Sequence, residues 1–146
     1  MIQTQVNVKL IWNIPPSGQG RFWQKFNKEV NDAAKESAKI YIFYLRNLLS
    51  ILVGRSATGR VIQRSLPGEF PRKETGELQI GQKISQDRRN NYTVIYSTTD
   101  YASDLEHGTI KVAARPSWLP AFLAQWQIMA LNITTRAADF INNYVP

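Results

Sequence analysis

From residue 20 to residue 53, apolar residues recur at steps of three or four positions, and no other feature of the sequence constrains the fold as strongly. The repeating positions are Phe22, Phe26, Val30, Ala33, Ser37, Ile40, Tyr44, Leu48 and Leu52. Polar residues mostly fill the opposite side, so the pattern predicts one amphipathic helix of about thirty residues, which Gly54 ends. The second half is apolar around most of its circumference. We expect it to lie either deep in the core or at a subunit interface, with the interface favoured.

A shorter stretch before this helix alternates strictly between apolar and polar residues. Its apolar members are Val6, Val8, Leu10, Trp12 and Ile14. A period of two residues is typical of a strand with one buried face. The Pro-Pro-Ser-Gly sequence at residues 15–18 ends this strand, because proline cannot donate to a ladder and glycine loosens the backbone.

Two further strands are predicted in the middle of the chain. The first places Leu78, Ile80 and Ile84 on one face. A polar turn over residues 87–91 leads into the second strand, in which Tyr92, Val94 and Tyr96 alternate with Thr93, Ile95 and Ser97. Before this pair, residues 54–75 show no sustained period. Irregular segments of this length are uncommon inside compact domains, so we expect this loop to be functional or to become ordered on assembly.

The last third of the chain predicts turns followed by a helix. Residues 98–114 are rich in turn formers, and Gly108 is expected to adopt a positive φ. Ser117 can cap a final helix, with Pro120 tolerated in its first turn. The apolar face of that helix contains Trp118, Phe122, Trp126, Met129, Ile133, Ala137 and Phe140. We therefore predict a single α+β domain over residues 1–146, in which a long N-terminal helix and a C-terminal helix pack on a small, mainly antiparallel sheet.

Composition narrows the classes of partner and of chemistry. The absence of cysteine removes disulfides, thiolate nucleophiles and sulfur-ligated metals. The N-terminus lacks a signal-peptide pattern, and the most apolar run, residues 40–53, is too short to cross a bilayer. We expect a soluble protein without membrane contact. The net charge of +7 favours polyanionic partners. The basic residues expected to face DNA or a neighbouring protein are Arg55, Arg60, Arg64, Arg72, Lys73, Arg88 and Arg89.

His107 is the only histidine, and it lies beside Asp104 and Glu106. A hydrolase could use these groups in acid–base catalysis. Neighbouring residues on an extended chain point in opposite directions, however, and no second histidine completes a common zinc site. We expect His107 to be a polar residue that leaves a strand into a glycine turn. The sequence also lacks a Gly-x-Ser-x-Gly elbow and a complete phosphate loop. No catalytic, cofactor or metal site is predicted, and the protein is not expected to be an enzyme.

Four short motifs follow one another between residues 65 and 121. They are Ser-Leu-Pro-Gly-Glu-Phe-Pro at 65–71, Thr-Gly-Glu-Leu at 75–78, Tyr-Ala-Ser-Asp-Leu-Glu-His-Gly-Thr at 101–109, and Arg-Pro at 115–116 followed by Pro-Ala at 120–121. In this order and spacing they resemble the head–tail joining family of tailed bacteriophages, the gene-product-ten-like neck or tail-component proteins of lambdoid phages. The residues that carry the resemblance are Pro67, Gly68, Pro71, Thr75, Gly76, Leu78, Tyr101, Ala102, Glu106, Gly108, Thr109, Arg115, Pro116 and Pro120.

The resemblance implies a structural virion protein that forms a homo-oligomeric ring connecting the DNA-filled head to the tail. Its partners would be other neck, connector and tail-tube proteins, with non-specific contact between the basic residues and genomic DNA in the channel. The chain would be made in the bacterial host cytoplasm and would reside at the head–tail junction of the virion. Two alternatives stay open. One is a tail terminator that caps the tail tube, and the other is a basic protein that binds DNA non-specifically.

Overall fold

The computed structural model describes residues 7–11, 20–52, 54–59, 61–63 and 65–144. Within these ranges two long helices and a small antiparallel sheet form an α+β fold, which confirms the predicted architecture. In chain order the elements are β1 (Asn7–Ile11), α1 (Arg21–Leu48), β2 (Gly54–Arg55), β3 (Val61–Gln63), α2 (Glu77–Ile80), β4 (Gln82–Asp87), β5 (Tyr92–Ser97), α3 (Ala102–His107) and α4 (Trp118–Asn143).

The main sheet has three antiparallel strands in the order β1-β5-β4. Strand β5 alternates as predicted, and its buried residues are Thr93, Ile95 and Ser97. The turn between β4 and β5 is held by the carboxylate of Asp87, which accepts hydrogen bonds from the backbone N–H groups of Arg89 and Asn90 at 2.9 and 3.2 Å. The predicted N-terminal strand is confirmed over residues 7–11, whereas the predicted burial of Val6, Val8, Leu10, Trp12 and Ile14 lies outside what the structure describes.

Helix α1 lies between α4 and the sheet, and it turns a broader surface inward than the predicted stripe. Ala33 and Ser37 are buried as predicted, but the buried row then continues at steps of four through Tyr41, Leu45 and Leu49. Ile40, which was predicted to face inward, is 42% exposed. The apolar second half of α1 is thus mainly core, because the side chains of α4 and the side chain of Ile95 in β5 meet it from different sides.

Helix α1 ends at Leu48 and not at Gly54, so the predicted boundary is wrong. After the last turn, the backbone N–H and the hydroxyl of Ser50 both bond to the carbonyl oxygen of Asn47. The following residues leave the helix axis because the N–H of Lys73 donates to the carbonyl of Ile51, and Leu52 forms a parallel bridge with Lys73. Pairing with a distant segment therefore overrides the helical pattern here.

Three predictions for the middle of the chain need correction. The predicted irregular loop at 54–75 contains a short antiparallel hairpin, β2–β3. The predicted strand face of Leu78, Ile80 and Ile84 is interrupted, because Gly76 adopts φ 92° and starts helix α2, which leaves Ile80 65% exposed. The predicted turn-rich segment before Gly108 contains helix α3, although Gly108 has the expected positive φ of 76°.

Helices α1 and α4 are antiparallel and make three kinds of contact along their length. At one end the two helices are held together by a cluster of aromatic side chains: Phe22, Trp23, Phe26, Phe140 and Tyr144. In the middle, the small side chain of Ser37 donates to the carbonyl of Met129 at 3.3 Å and accepts from the amide of Asn132 at 2.9 Å. At the other end the buried phenol of Tyr41 donates to the carbonyl of Trp118 at 2.9 Å. These contacts fix where α4 begins relative to α1.

The Tyr41 phenol should make folding stability depend on alkaline pH. Burial raises its pKa well above the usual range, and the charge of Glu106 adds to this. In the unfolded chain the phenol ionises near pH 10, so its stabilising contribution is present below about pH 10 and lost as the pH rises further. We expect Tyr41→Phe to cost about 1–2 kcal/mol near neutral pH and to weaken the loss of stability above pH 10. Urea unfolding at neutral pH and at several pH values above 10 measures both effects on the free energy of unfolding. Tyr44→Phe is the matched control, and an unchanged alkaline slope in the Tyr41 variant would contradict the assignment.

Candidate functional site

The four motifs, which are spread over residues 65–121, each contribute residues to one cavity of about 340 Å³. The motif residues that line it are Pro71, Thr75, Gly76, Leu78, Tyr101 and Arg115. We call this the motif cavity. It lies beside the end of α1, at Leu49, and it is bounded by α2 and by α3. At least one residue of each motif therefore lies at the same cavity, and the other motif residues are described below by their own contacts.

Glu106 joins helix α3 to the start of α4. One of its carboxylate oxygens accepts hydrogen bonds from the backbone N–H groups of Ser117 and Trp118 at 2.7 and 3.0 Å, and the other accepts from Leu119 at 2.9 Å. A carboxylate at this position satisfies unpaired N–H groups and interacts favourably with the helix dipole. Ser117 occupies the cap position as predicted, but its hydroxyl makes no capping hydrogen bond. The capping group is thus Glu106, eleven residues earlier in the sequence.

Arg115 also links segments that are separated in the sequence. Its backbone N–H donates to the carbonyl of Leu105 at 2.6 Å, and its guanidinium Nε donates to the carbonyl of Ser65 at 3.0 Å. One residue earlier, the carbonyl of Ala114 accepts from the N–H of Gly68 at 2.9 Å. Gly68 has φ 82°, a conformation that favours glycine. These bonds fasten the 65–71 segment to the chain that leads into α4.

Gly76 and Tyr101 line the motif cavity together with Arg115. Gly76 has φ 92°, a conformation that favours glycine, whereas the closest neighbour of an added Cβ would be the flexible end of the Lys73 side chain, at 2.9 Å. The hydroxyl of Thr75 accepts a long hydrogen bond of 3.4 Å from the N–H of Glu77. Partial burial and the charge of Glu77 raise the pKa of Tyr101. The side chains here shape the start of α2 and hold it near α3.

The remaining motif residues lie in α2, in α3, near the start of α4 and in the 65–71 segment. Ala102 is buried at the start of α3, and Leu78 packs against the core from α2. Pro120 lies in the first turn of α4, as predicted, and Pro116 is half-buried just before it. Pro67 is exposed in the turn that precedes Gly68.

A protruding loop follows Gly108, and we call residues 109–112 the knob. The N–H of Thr109 donates to the carbonyl of Val112 at 2.7 Å, and the hydroxyl of Thr109 accepts from the N–H groups of Lys111 and Val112 at 3.2 and 3.0 Å. A Cβ at Gly108 would lie 2.9 Å from the backbone N of Ala114, so the turn needs glycine. The knob is therefore a tight, internally bonded turn, and it presents the fully exposed side chain of Ile110.

His107 ends helix α3 and does not leave a strand, so that prediction is corrected. Its Nδ1 lies 3.2 Å from the carbonyl oxygen of Ser103 and 3.5 Å from the Ser103 hydroxyl. With Nδ1 directed at a carbonyl one helical turn earlier, the ring acts as a local helix contact. Glu106, the neighbour proposed for acid–base chemistry, is committed to the start of α4. Among the described residues, no group of three or more histidine, aspartate or glutamate side chains is placed to hold a metal ion.

The predicted basic residues fall into separate groups. Arg88 forms an ion pair of 3.0 Å with Asp32 near the first half of α1, and Arg89 stands beside it in the β4–β5 turn. Lys73 forms a backbone bridge with Leu52, beyond the other end of α1. At the usual helical rise per residue, that end of α1 lies about 25 Å from Asp32. Arg72 lies 3.9 Å from the carboxylate of Glu69, and Arg55 donates to the carbonyl of Gly59 at 2.9 Å. Arg60 and Arg64 lie outside the described residues.

Helix α4 exposes an apolar surface outside the face that packs on α1. Trp118 and Met129 are buried as predicted, but Trp126, which was assigned to the same face, is 46% exposed. It continues a stripe at steps of four, three and four residues, which we call the outer face of α4: Leu119, Leu123, Trp126 and Ala130. Ile128 and Leu131 are also exposed, on other sides of the same helix. The sequence signal for this surface is the absence of any charged residue from 118 to 135.

The chain matches none of the protein families, curated proteins and solved structures with which it was compared. In the part of the chain that the structure describes, no helix has the length and the apolar character needed to span a membrane.

Proposed function

We propose that this chain is a structural subunit of the neck of a tailed bacteriophage, and that it assembles as a ring connecting the DNA-filled head to the tail. The observation that carries the proposal is the outer face of α4. Contiguous exposed apolar surface on a soluble chain marks a contact with another protein. Leu119 and Leu123 are each 60% exposed, and no charge interrupts the helix around them. We assign this face to the contact with a neighbouring copy.

The contacts around the motif cavity support a structural role. Glu106 and Arg115 direct their hydrogen bonds to backbone groups of the same chain, which join separated segments. Groups used in this way build a rigid scaffold and are unavailable for bond-making chemistry. A structural role agrees with the resemblance of the four motifs to head–tail joining proteins. That resemblance is the reason for proposing the head–tail junction as the position of this chain in the particle.

A closed ring needs two different contact surfaces on each subunit, because every copy meets one neighbour on each side. The outer face of α4 is one such surface. The basic residues are divided between two regions of the molecule, so no single observation favours a free-standing DNA-binding protein over the assembly role. A tail terminator would use the same kind of ring, and the position of the ring in the particle separates the two: at the junction with the head for a neck protein, on the end of detached tails for a terminator.

Shortening the β2–β3 hairpin tests the role in joining. We expect a chain with residues 56–60 replaced by Asn-Gly to fold normally, because Ala57, Thr58 and Gly59 are exposed at the hairpin tip. We also expect it to leave heads and tails separate, since the exposed tip is accessible to a neighbouring protein. Electron microscopy of particles produced with this variant, and with the unaltered chain as control, measures the joined fraction. Normal joining would show that the hairpin is dispensable.

The unaltered chain provides the broader test. It should form discrete rings in solution, or join a ring only beside its connector or tail-tube neighbours, as light scattering and co-purification from phage-producing cells would reveal. A chain that stays monomeric and associates with none of these proteins would overturn the proposed function.

A further inference from the structure

The knob has the properties of a preformed contact element. Its tip residue Ile110 is fully exposed, Val112 is exposed beside it, and Lys111 between them forms no salt bridge with any residue that the structure describes. Three hydrogen bonds within the turn hold this arrangement. An apolar tip held rigidly in water loses little conformational freedom when it binds, so the shape favours insertion into a complementary cavity.

A second cavity, of about 450 Å³, lies beside the outer strand β4, and we call it the edge pocket. It is lined by Glu77, Ile80, Lys83, Thr98, Thr99 and Asp100, among others. The side chain of Ile80 is 65% exposed there. The carboxylates of Glu77 and Asp100 are exposed and form no salt bridge within the described part of the chain. The pocket therefore combines an apolar surface with two unpaired negative charges and one lysine.

The knob and the edge pocket complement each other in both apolar character and charge. Ile110 matches the apolar surface of Ile80, and Lys111 matches the carboxylates. Within one copy the two do not meet, because Ile110 is fully exposed. They lie at opposite ends of α3: Asp100 precedes the helix and the knob follows it. We propose that the knob of one copy inserts into the edge pocket of the next copy, which makes a head-to-tail contact of the kind that closes rings.

Charge argues against a further apolar groove, between α1 and β4, as the receptor. That groove is lined by Phe43, Ile42 and Ile84 together with three cations, Lys39, Arg46 and Lys83. Lys111 would meet like charges there, whereas the edge pocket offers carboxylates. The inference rests on the proposed ring, but it specifies a pair of surfaces that the proposed function leaves open.

Disulfide trapping tests the contact directly, because the natural chain has no cysteine. Two full-length variants, Ile110→Cys and Ile80→Cys, are mixed in equal amounts and oxidised, both as purified proteins at high concentration and when co-expressed during phage production. We expect a cross-linked dimer that requires both variants. Replacing the Ile80 variant by Lys28→Cys, an exposed position on α1, should give none, and this pair is the matched control.

Charge reversal gives an independent readout. Lys111→Glu or Asp100→Lys alone should weaken self-association by about tenfold, and the two together should largely restore it. A third variant, Phe43→Cys, places a cysteine in the groove between α1 and β4. The inference would be overturned if Ile110→Cys cross-linked to Phe43→Cys and not to Ile80→Cys. It would also be overturned if no cross-link formed, either with the purified proteins or during phage production. If rings still form at the head–tail junction in that case, the proposed function stands without this contact. If the Ile110–Ile80 cross-link forms but the chain is absent from particles, the contact stands and the proposed function fails.

Discussion

Replacing Glu106 by alanine is expected to lower the free energy of unfolding by about 2–4 kcal/mol, the largest effect we expect from a single polar side chain in this protein. The variant removes the acceptor of three backbone N–H groups at the start of α4, at Ser117, Trp118 and Leu119. Two of these groups belong to buried residues, and Trp118 packs against Tyr41 in the core. Urea unfolding followed by tryptophan fluorescence would measure the loss.

Glu106→Gln and Asp104→Asn separate the role of the carboxylate from that of charge on α3. The amide in Glu106→Gln keeps one oxygen acceptor but directs an NH₂ group at N–H donors, so an intermediate loss of about 1–2 kcal/mol is expected. Asp104 is exposed on the same short helix, and its neutralisation should change stability by less than about 0.5 kcal/mol. Equal effects of the Glu106 and Asp104 variants would show that the cap contributes nothing specific.

Replacing Leu123 by aspartate is expected to weaken assembly strongly while the domain stays folded. Leu123 is 60% exposed in the single chain, so the substitution removes little buried area and should leave the unfolding transition nearly unchanged. In an assembled ring the same position would be covered, and an unpaired carboxylate there would weaken association by roughly a hundredfold. Sedimentation or light scattering over a concentration series measures the oligomer, and electron microscopy measures joined particles.

Thr135→Asp is the control for this variant, because it adds the same charge to an exposed position of α4 that lies off the outer face. It should assemble as the unaltered chain does. If Leu123→Asp assembled normally as well, the outer face of α4 would not be a subunit contact, and the proposed function would lose the observation that carries it.

Periodicity predicted the long helices and the antiparallel sheet because these depend on local sequence and on one buried face each. It misplaced the end of α1, since that end depends on Lys73, more than twenty residues away, which draws Ile51 and Leu52 into backbone pairing. It also read residues around Ile80 as a strand, because apolar residues two positions apart suit a strand even where a positive φ at Gly76 starts a helical turn.

The candidate site was predicted as a set of residues but not as a set of roles. The motifs pointed to Glu106 and Arg115, yet their hydrogen bonds reach backbone groups that only the packing of α3 beside α4 brings near. The apolar second half of α1 was favoured as an interface, and most of it became core once α4 and the sheet were placed. The exposed surface belongs to α4, because residues 118–135 carry no charge on any side of the helix, whereas a single inward face accounts for only part of them.

The knob is anchored on both sides, by Glu106 shortly before it and by the backbone bonds of Ala114 and Arg115 after it. The same carboxylate fixes the start of α4, so Ile110 and the outer face of α4 keep a constant mutual orientation. In a closed ring, each copy is rotated relative to its neighbour by a fixed angle. The mutual orientation of these two surfaces would set that angle and therefore the curvature of the ring. A loosened anchor would let successive copies drift out of plane, and the result would be open helical fibres of variable pitch.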